Sequence, residues 1–327
     1  MPTSREVHLV RRPEGMPRPD DFALVQASVS DAGEGEVLVQ NLLMSVDPAM
    51  RPRLDGPTAL DEAMPASAIG RVEQSRSGDL AVGDIVQSSL GFREYATGLA
   101  KAFRKLAVAP DVPLTAYLNA LGGTGFTAYG GLLDIASCKD GEQVFVSTAA
   151  GAVGQIAAQI AKIKGCRVIG STGSAEKAAW LRDTIGLDVV IDYKAQPIGP
   201  ALREATPEGL DVYFDNVGGD HLDAALSRMN TLGRIAVCGA ITGYNGGGNP
   251  VTKLSNIIYR RVMLRGFVAT DFMQLHGQFV ADMTGWLRDG RIVAAETVYE
   301  GIERAGDALI GLMEGRNTGK MLVRLAE

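Results

Sequence analysis

The sequence has few of the residues that build metal lobes, disulfide frameworks and nucleic-acid grooves. Its 327 residues include only 3 cysteines and 3 histidines, and no two cysteines form a CxxC pair. A four-cysteine zinc lobe is therefore excluded, and so few cysteines in so long a chain favour a reducing, cytoplasmic location. Lys plus Arg number 32 against 38 for Asp plus Glu. The resulting net charge of −6, with no basic stripe, argues against a nucleic-acid partner.

Long apolar segments are also scarce. The N-terminal residues contain no uninterrupted apolar stretch of the kind that a secretory signal requires. Residues 144–161 carry no charge over 18 residues, which nominally suffices for a membrane span. This stretch contains Gly151, Gly154, Gln155 and Gln159. We therefore favour a buried strand, turn and helix over a membrane-spanning helix, and we predict no membrane partner.

Glycine, by contrast, is abundant, and the length allows two domains. The 40 glycines show no G-X-Y period, so they indicate backbone-demanding turns and not collagen. A 46% hydrophobic and 21% charged composition is typical of globular proteins. Residues 1–118 contain short strand patterns at 36–40, 68–73 and 81–86, separated by turn residues. They predict an irregular β-rich domain.

Strand and helix patterns alternate from about residue 122. Near-continuous apolar strands separated by helical repeats predict an α/β fold with a parallel, doubly wound, six-stranded sheet of the dinucleotide-binding type. The predicted strands are 144–146, 167–169, 189–191, 212–214, 234–237 and 263–267. Strand patterns at 292–298 and 320–325 predict that the tail returns to the first domain. The expected domains are 1–118 with 291–327, and 119–290.

The turn after the first of these strands is the clearest local motif. Gly151 and Gly154 stand between a strand and a helix, where small residues let backbone amides approach a pyrophosphate. The spacing is TxxGxxG and not GxGxxG, so a tight turn without a ligand is the alternative. The six alternating units around it favour cofactor binding.

The residues after the second strand indicate which dinucleotide would bind. An NAD site needs a carboxylate here for the ribose hydroxyls, whereas this chain has small polar residues at 170–175, including Gly173 and Ser174, followed by Lys177. Hydroxyls, amides and an ammonium suit a 2′-phosphate. The sequence therefore predicts NADP(H), although Lys177 could also be an ordinary surface lysine.

Five segments together resemble the zinc-independent medium-chain dehydrogenase/reductase superfamily, in its prostaglandin reductase and alkenal/one double-bond reductase branch. They are Asn41–Arg51, Gly125–Tyr129, Tyr213–Gly219, Cys238–Asn245 and Gly315–Lys320, together with the glycine turn. The resemblance implies a GroES-like β domain and a Rossmann domain, with the cofactor between them. It also implies a homodimer joined at the edge of the Rossmann sheet.

The resemblance implies most of the predicted site, including Ser174, Lys177 and Tyr193 at the 2′-phosphate, and Gly173 and Gly239 are added because they follow predicted strands. The predicted cofactor-binding residues are Thr127, Gly151, Val153, Gly154, Gly173, Ser174, Lys177, Tyr193, Asn216, Cys238, Gly239, Ile241, Phe267, Val268 and Asn317. Tyr244 would face the substrate carbonyl as the catalytic residue. Met44, Met50 and Arg51 are further predicted substrate-site residues, with core packing an equal alternative for the two methionines.

The resemblance also bears on metal and on chemistry. Zinc-dependent relatives place a cysteine ligand where this chain has Val46 and Asp47, and Gly-His-Glu where it has residues 69–71. We therefore expect no metal site. The predicted activity is NADPH-dependent reduction of the C=C bond of a small hydrophobic α,β-unsaturated ketone or aldehyde, by hydride transfer to the β-carbon. A quinone oxidoreductase and a non-catalytic NADPH-binding or structural protein are the alternatives.

Overall fold

The computed structural model describes residues 3–248 and 250–326. The chain divides into two compact units, and each is described by itself. Unit 1 comprises Met1–Leu118 and Glu296–Glu327, and unit 2 comprises Asn119–Ala295.

The described residues form the following strands and helices. The strands are β1 Thr3–Leu9, β2 Phe22–Ser28, β3 Glu36–Val46, β4 Ala68–Ser75, β5 Ile85–Ser88, β6 Tyr95–Leu99, β7 Arg104–Lys105, β8 Gln143–Val146, β9 Arg167–Thr172, β10 Val189–Asp192, β11 Leu210–Asp215, β12 Met229–Val237, β13 Met263–Gly266, β14 Glu296–Glu300 and β15 Lys320–Arg324. The α-helices are α1 Met50–Arg53, α2 Gly123–Gly130, α3 Ala152–Ile163, α4 Ala175–Asp183, α5 Ile198–Ala205, α6 Gly219–Arg228, α7 Ser255–Arg260, α8 His276–Arg288 and α9 Ala305–Met313. Short 3₁₀ segments and one π turn, Gly131–Ile135, complete the described elements.

Unit 1 is built on a mixed, mostly antiparallel sheet. Its strand order is β14-β15-β3-β4-β5-β7, with β6 paired to β3, and β1 and β2 form a separate antiparallel pair. Its largest core cluster lies where β3 and β15 pack with α9, through Met44, Val46, Leu309, Met321 and Val323. The tail strand β15 thus supplies core side chains to the same sheet as β3.

Unit 2 is a parallel sheet in the order β10-β9-β8-β11-β12-β13. In chain order this is 3-2-1-4-5-6, the doubly wound arrangement whose direction reverses between β8 and β11. Alternate strand residues are buried on opposite faces. Phe145 and Tyr213 pack with the α5 and α6 side, while Val144 and Phe214 pack with α3 and α8. The predicted α/β fold class with six parallel strands is confirmed.

Two predicted boundaries were wrong. The apolar repeat at Leu222, Ala225, Leu226 and Met229 predicts a helix that runs through Met229, but α6 ends at Arg228 and Met229 begins β12. The strand that was expected at 292–298 begins only at Glu296. Its first residues bond instead to side chains of α3: Gln159 Oε1 accepts from Val293 N at 2.7 Å, and Gln155 Oε1 accepts from Ala295 N at 2.9 Å.

The uncharged stretch 144–161 forms β8, a turn and α3, as the sequence predicted. Its two glutamines are buried and use their amides to hold the backbone of residues 293–295. Within residues 3–248 and 250–326, no helix is long and apolar enough to cross a membrane.

Candidate functional site

The glycine turn between β8 and α3 is held in a conformation that only small residues permit. Thr148 has a φ of +51°, in the left-handed region, and its carbonyl accepts the Gly151 N–H at 2.8 Å. A Cβ on Gly154 would lie 2.2 Å from the Thr148 carbonyl oxygen. The turn therefore requires glycine at 154, and it brings backbone amides to the start of α3.

The start of α3 fits an anionic group. The first N–H groups of a helix lack intrahelical partners and carry partial positive charge. Gly151 precedes this first turn and Val153 lies within it, with no acidic side chain there. The bare backbone and the positive helix end suit a pyrophosphate.

A buried polar network joins the ends of β8 and β11, where the strand order reverses. Asn216 donates its backbone N–H to Ser147 Oγ at 2.9 Å and its Nδ2 to the Ser147 carbonyl at 2.7 Å. Asp215 Oδ1 accepts from the Tyr213 hydroxyl at 2.6 Å and from Val217 N and Gly218 N at 2.9 and 2.8 Å. Burial raises the pKa of Asp215. This network fixes Asn216 at the switch point, where dinucleotides bind in this sheet class.

The predicted 2′-phosphate residues come together at the ends of β9 and β10. Tyr193 N donates to the Thr172 carbonyl at 3.0 Å, directly after the last paired residues of the two strands. A Cβ on Gly173 would lie 2.8 Å from the Tyr193 hydroxyl. Ser174 caps α4 by accepting the Lys177 N–H at 3.3 Å, and its hydroxyl proton is still able to donate.

Two titratable side chains of this group have altered pKa values. Burial, then the charge of Lys194, lowers the pKa of Lys177. Burial, then Asp192, raises the pKa of Tyr193, so that its hydroxyl stays protonated as a donor. The neutral Tyr193 hydroxyl and the Lys194 side chain lie beside Gly173, and Lys177 lies in the first turn of the helix that follows.

The residues after β12 include the predicted catalytic tyrosine. Cys238 N and Gly239 N both donate to the Asp215 carbonyl, at 2.8 and 3.1 Å. A short 3₁₀ turn, Ile241–Gly243, directly precedes Tyr244, and a Cβ on Gly239 would lie 3.5 Å from the Tyr244 hydroxyl. The hydroxyl therefore lies over the end of β12. Burial, then Asp215, raises the pKa of Cys238 to about 12, which keeps that thiol neutral.

The other predicted residues of unit 2, Phe267, Val268 and Thr127, differ in exposure and in the element that carries them. Phe267 follows β13 and packs edge-on against Phe214 at 6.1 Å between ring centroids, while Val268 is 60% exposed. Thr127 lies within α2 and donates its hydroxyl to the Gly123 carbonyl at 2.7 Å. Except for Thr127, the predicted cofactor residues of unit 2 lie directly after the six strands, in the turns there or in the first turns of the helices α3 and α4.

The predicted residues of unit 1 have internal roles there. Met44 and Met50 belong to its core cluster, and Arg51 is buried, donating to the Gly15 carbonyl and to Asp55. Asn317 donates its Nδ2 to the Gly319 carbonyl at 2.7 Å. Their roles toward cofactor or substrate stay predictions.

The structure also shows three residues that the sequence analysis missed. Lys194 lies beside Gly173, and His221 packs edge-on against Tyr193 with 5.0 Å between ring centroids. Lys320 is buried and donates Nζ to the Val46 carbonyl and to Asp47 Oδ1, which ties two of the family-like segments together. The basic residue directly after Tyr193 was the one sequence signal that could have indicated Lys194.

Histidines and acidic residues do not gather into a metal centre in the described part of the chain. Residues 3–248 and 250–326 hold no group of three or more His, Cys, Asp or Glu side chains that could bind a metal ion. His8 Nε2 lies 2.9 Å from Glu6 Oε2. His221 is buried, and this burial lowers its pKa to about 4.

Comparison with known proteins identifies the family. The family described as N-terminal domain of oxidoreductase matches residues 5–106, and the family described as zinc-binding dehydrogenase matches residues 152–283. The 2-alkenal reductase (NADP(+)-dependent) of Nicotiana tabacum is 37% identical, over 99% of this chain and 98% of that protein. Prostaglandin reductase 1 of Rattus norvegicus is 39% identical, over 95% of this chain and 96% of that protein. The chain belongs to the zinc-independent medium-chain dehydrogenase/reductase superfamily.

A solved relative agrees with this membership over the whole fold. The crystal structure of CurA from Vibrio vulnificus in complex with NADPH is 38% identical, with a TM-score of 0.93 and coverage of 99% of both chains. The predicted family resemblance and the predicted oxidoreductase class are confirmed.

Proposed function

We propose that this protein reduces the C=C bond of small, hydrophobic α,β-unsaturated ketones or aldehydes with NADPH as the reductant. The observation that carries the proposal is the placement of the Tyr244 hydroxyl over Gly239. This position is at the carboxyl ends of the strands, where the glycine turn and Asn216 also lie. The relatives named as 2-alkenal and prostaglandin reductases support it.

NADP(H) is the cofactor of this family branch, as the sequence predicted. The residues at the strand ends fit it chemically, since they offer the start of α3 without an acidic side chain, hydroxyl donors and a lysine, and the small residues 173–175 stand directly after β9. We assign the pyrophosphate to Gly151, Val153 and Gly154, and the 2′-phosphate to Ser174, Lys177 and Tyr193. NADPH supplies the hydride when it is bound.

Tyr244 then acts on the substrate carbonyl. Conjugation makes the β-carbon electrophilic, so negative charge develops on the carbonyl oxygen as the β-carbon is reduced. A hydroxyl that donates a hydrogen bond to this oxygen stabilises that charge more in the transition state than in the substrate. Protonation of the α-carbon is assigned to water or to Tyr244.

Unit 1 is proposed as the GroES-like substrate domain. Met44, Met50, Arg51 and Asn317 are the proposed contributors to ligand binding in unit 1, and Thr127 is a proposed contributor in unit 2. Lys320 holds the backbone at Val46 and Asp47. This contact positions the segment that carries Met44 and Met50.

A second copy of the chain is the proposed partner, joined at the β13 edge of the sheet. All four residues of β13 are exposed, and apolar side chains cluster beside the strand in sequence, with Ile258 74% and Tyr259 81% exposed. An unpaired edge strand offers a row of backbone donors and acceptors to another strand. Pairing two such edges by a two-fold axis gives a closed homodimer.

The activity is tested by NADPH consumption with three acceptors of similar size, an aliphatic enal, an aliphatic enone and a benzoquinone. We expect rapid oxidation with the enal and the enone, and recovery of the saturated carbonyl product. Oxidation with the quinone alone would favour a quinone oxidoreductase. Binding of NADPH without turnover of any acceptor would favour a non-catalytic role.

A further inference from the structure

Lys194 lies against the residues assigned to the 2′-phosphate, although no sequence motif singled it out. It follows β10 closely, and a Cβ on Gly173 would lie 3.3 Å from Lys194 Cε and 2.8 Å from the Tyr193 hydroxyl. The Lys194 side chain and the Tyr193 hydroxyl therefore both extend over Gly173.

The backbone around Lys194 is held in place. Asp192 Oδ1 accepts the Lys194 N–H at 3.0 Å, and the Asp192 carbonyl accepts from Ala195 and Gln196, each at 3.1 Å. Asp192 is also paired in register with Thr172 across the two strands. The turn that carries Lys194 is thus fixed relative to the turn that carries Gly173 and Ser174.

Two lysines come to this region from different elements. Lys177 lies in the first turn of α4 and Lys194 in the turn after β10, and burial, then the charge of Lys194, lowers the pKa of Lys177. Like charges at close range repel, and an anion between them removes that repulsion. A phosphate dianion beside Gly173 would interact with both ammonium groups and with the Tyr193 hydroxyl.

We propose that Lys194 binds the 2′-phosphate of NADP(H) jointly with Lys177 and so sets the preference for NADP(H) over NAD(H). This inference rests on the proposed assignment of the 2′-phosphate to Ser174, Lys177 and Tyr193. It adds a second cation to that subsite, contributed by a different strand end.

Binding of adenosine 2′,5′-bisphosphate and adenosine 5′-monophosphate isolates the 2′-phosphate, because the two probes differ only in that group. Calorimetric titration of Lys194→Ala should show about tenfold weaker binding of the bisphosphate and less than about twofold change for the monophosphate. Lys194→Arg, which keeps the charge, should stay within about threefold of the parent protein for both probes. Lys164→Ala is the matched control. Lys164 is exposed and precedes β9, so it lies at the amino ends of the strands, away from the proposed phosphate site at their carboxyl ends.

Lys177→Ala, measured in parallel, separates this proposal from the assignment on which it rests. If Lys177→Ala weakens only the bisphosphate while Lys194→Ala changes neither probe, Lys194 has no role and the subsite stands. If neither variant discriminates between the probes, both the subsite and the role of Lys194 are overturned. Equal weakening of both probes by Lys194→Ala would also overturn the proposal, because it would indicate a structural defect.

A second observation, independent of the cofactor site, concerns two cysteines near the amino ends of the strands β8 and β9. Cys138 Sγ and Cys166 Sγ lie 3.3 Å apart, although 28 positions separate them in sequence. Cys138 precedes β8 and Cys166 precedes β9, and the pair is held by Cys138 N donating to the Leu132 carbonyl and Cys166 N to the Ala161 carbonyl. Both thiols are free in this structure.

The contact between the thiols favours a thiolate on one of them. Its hydrogen bond with Cys138 lowers the pKa of Cys166, and the same contact, together with burial, raises the pKa of Cys138. Thiolates are the form that reacts with peroxides, and a sulfenic acid beside a second thiol condenses to a disulfide.

We propose that Cys138 and Cys166 form a reversible intramolecular disulfide when a peroxide oxidises them. One thiolate attacks hydrogen peroxide, which breaks the O–O bond and gives a sulfenic acid and hydroxide. The hydroxide takes up the proton lost from that thiol and leaves as water. The second thiol displaces the sulfenic oxygen as water and forms the S–S bond. Two thiols and one peroxide thus give one disulfide and two waters.

Treatment of the full chain with stoichiometric hydrogen peroxide tests this proposal. Intact mass should fall by about 2 Da, peptide mapping should link 138 to 166, and dithiothreitol should restore the mass. Cys138→Ser and Cys166→Ser should each abolish the loss of 2 Da, whereas Cys238→Ser should keep it. A gain of about 16 or 32 Da without a linked peptide, or an unchanged mass at excess peroxide, would overturn the proposal.

Discussion

Gly154 illustrates how a single backbone position decides whether the cofactor turn can form. A Cβ at this position would lie 2.2 Å from the Thr148 carbonyl oxygen, and that atom belongs to backbone already in a left-handed conformation. Neither the Thr148 carbonyl nor a Cβ at position 154 could move away from the other without displacing the start of α3. The sequence predicted this requirement because glycines between a strand and a helix are read directly from their spacing.

Gly154→Ala should therefore destabilise the protein by about 1–3 kcal/mol and weaken NADPH binding, because it overpacks this turn. Urea unfolding and NADPH fluorescence titration measure the two effects. Gly199→Ala is the matched control, since Gly199 lies in α5 and a Cβ there would meet no neighbouring atom within 4 Å. It should leave NADPH affinity unchanged and alter stability by no more than about 1 kcal/mol. Equal effects of the two substitutions would contradict the argument.

His221 gives a pH dependence whose sign can be worked out. Its pKa falls from 6.5 to about 4 on burial, so the unfolded chain binds more protons between these values. The contribution of His221 to the free energy of unfolding is therefore fully present above about pH 6.5 and decreases as the pH falls toward 4. Because Phe145 and Tyr193 enclose the ring, phenylalanine is the closest apolar replacement in shape.

The stability difference between the parent protein and His221→Phe should change by about 2 kcal/mol between pH 7.5 and pH 5, with the parent losing more. Urea unfolding at both pH values measures it. His8→Phe is the control, since the pair of His8 and Glu6 lies outside unit 2. A difference that does not vary with pH would show that His221 is not the titrating group.

At the scale of secondary structure, apolar runs predicted the six strands of unit 2 because parallel strands are buried on both faces. The boundaries at Met229 and Glu296 were wrong because they depend on partners distant in sequence. Gln155 and Gln159 take the backbone hydrogen bonds of residues 293 and 295, which no local pattern records. Lys194 and Lys320 escaped detection for the same reason, since only the folded chain brings them to Gly173 and Asp47.

The β13 edge offers an element-scale prediction. If two copies pair there, Ile258→Asp should shift the protein toward monomer in light scattering at micromolar concentration, because it places charge in a buried contact. Val82→Asp is the control, since Val82 is 66% exposed in unit 1. A parent protein that is monomeric across the same range, or an Ile258→Asp variant of unchanged mass, would contradict the proposed dimer.

At the scale of the molecule, each unit has its own core, and the family-like segments are distributed between them. Asn41–Arg51 and Gly315–Lys320 meet within unit 1 through Lys320, while the glycine turn, Tyr213–Gly219 and Cys238–Asn245 meet at the strand ends of unit 2. Segments far apart in sequence thus converge on two local sites. The order of motifs along the chain predicted the family, and the strand order explains why the motifs of unit 2 share one edge.

Carbonyl activation by Tyr244 is tested by the rate of NADPH oxidation with an enone in Tyr244→Phe under single-turnover conditions. We expect a loss of roughly 10²–10³-fold in this rate, with NADPH affinity within about twofold of the parent, because one donor to the developing oxyanion is removed. Tyr259→Phe, at an 81% exposed tyrosine, should leave the rate unchanged. A rate for Tyr244→Phe within about threefold of the parent would contradict the assignment of carbonyl activation to Tyr244.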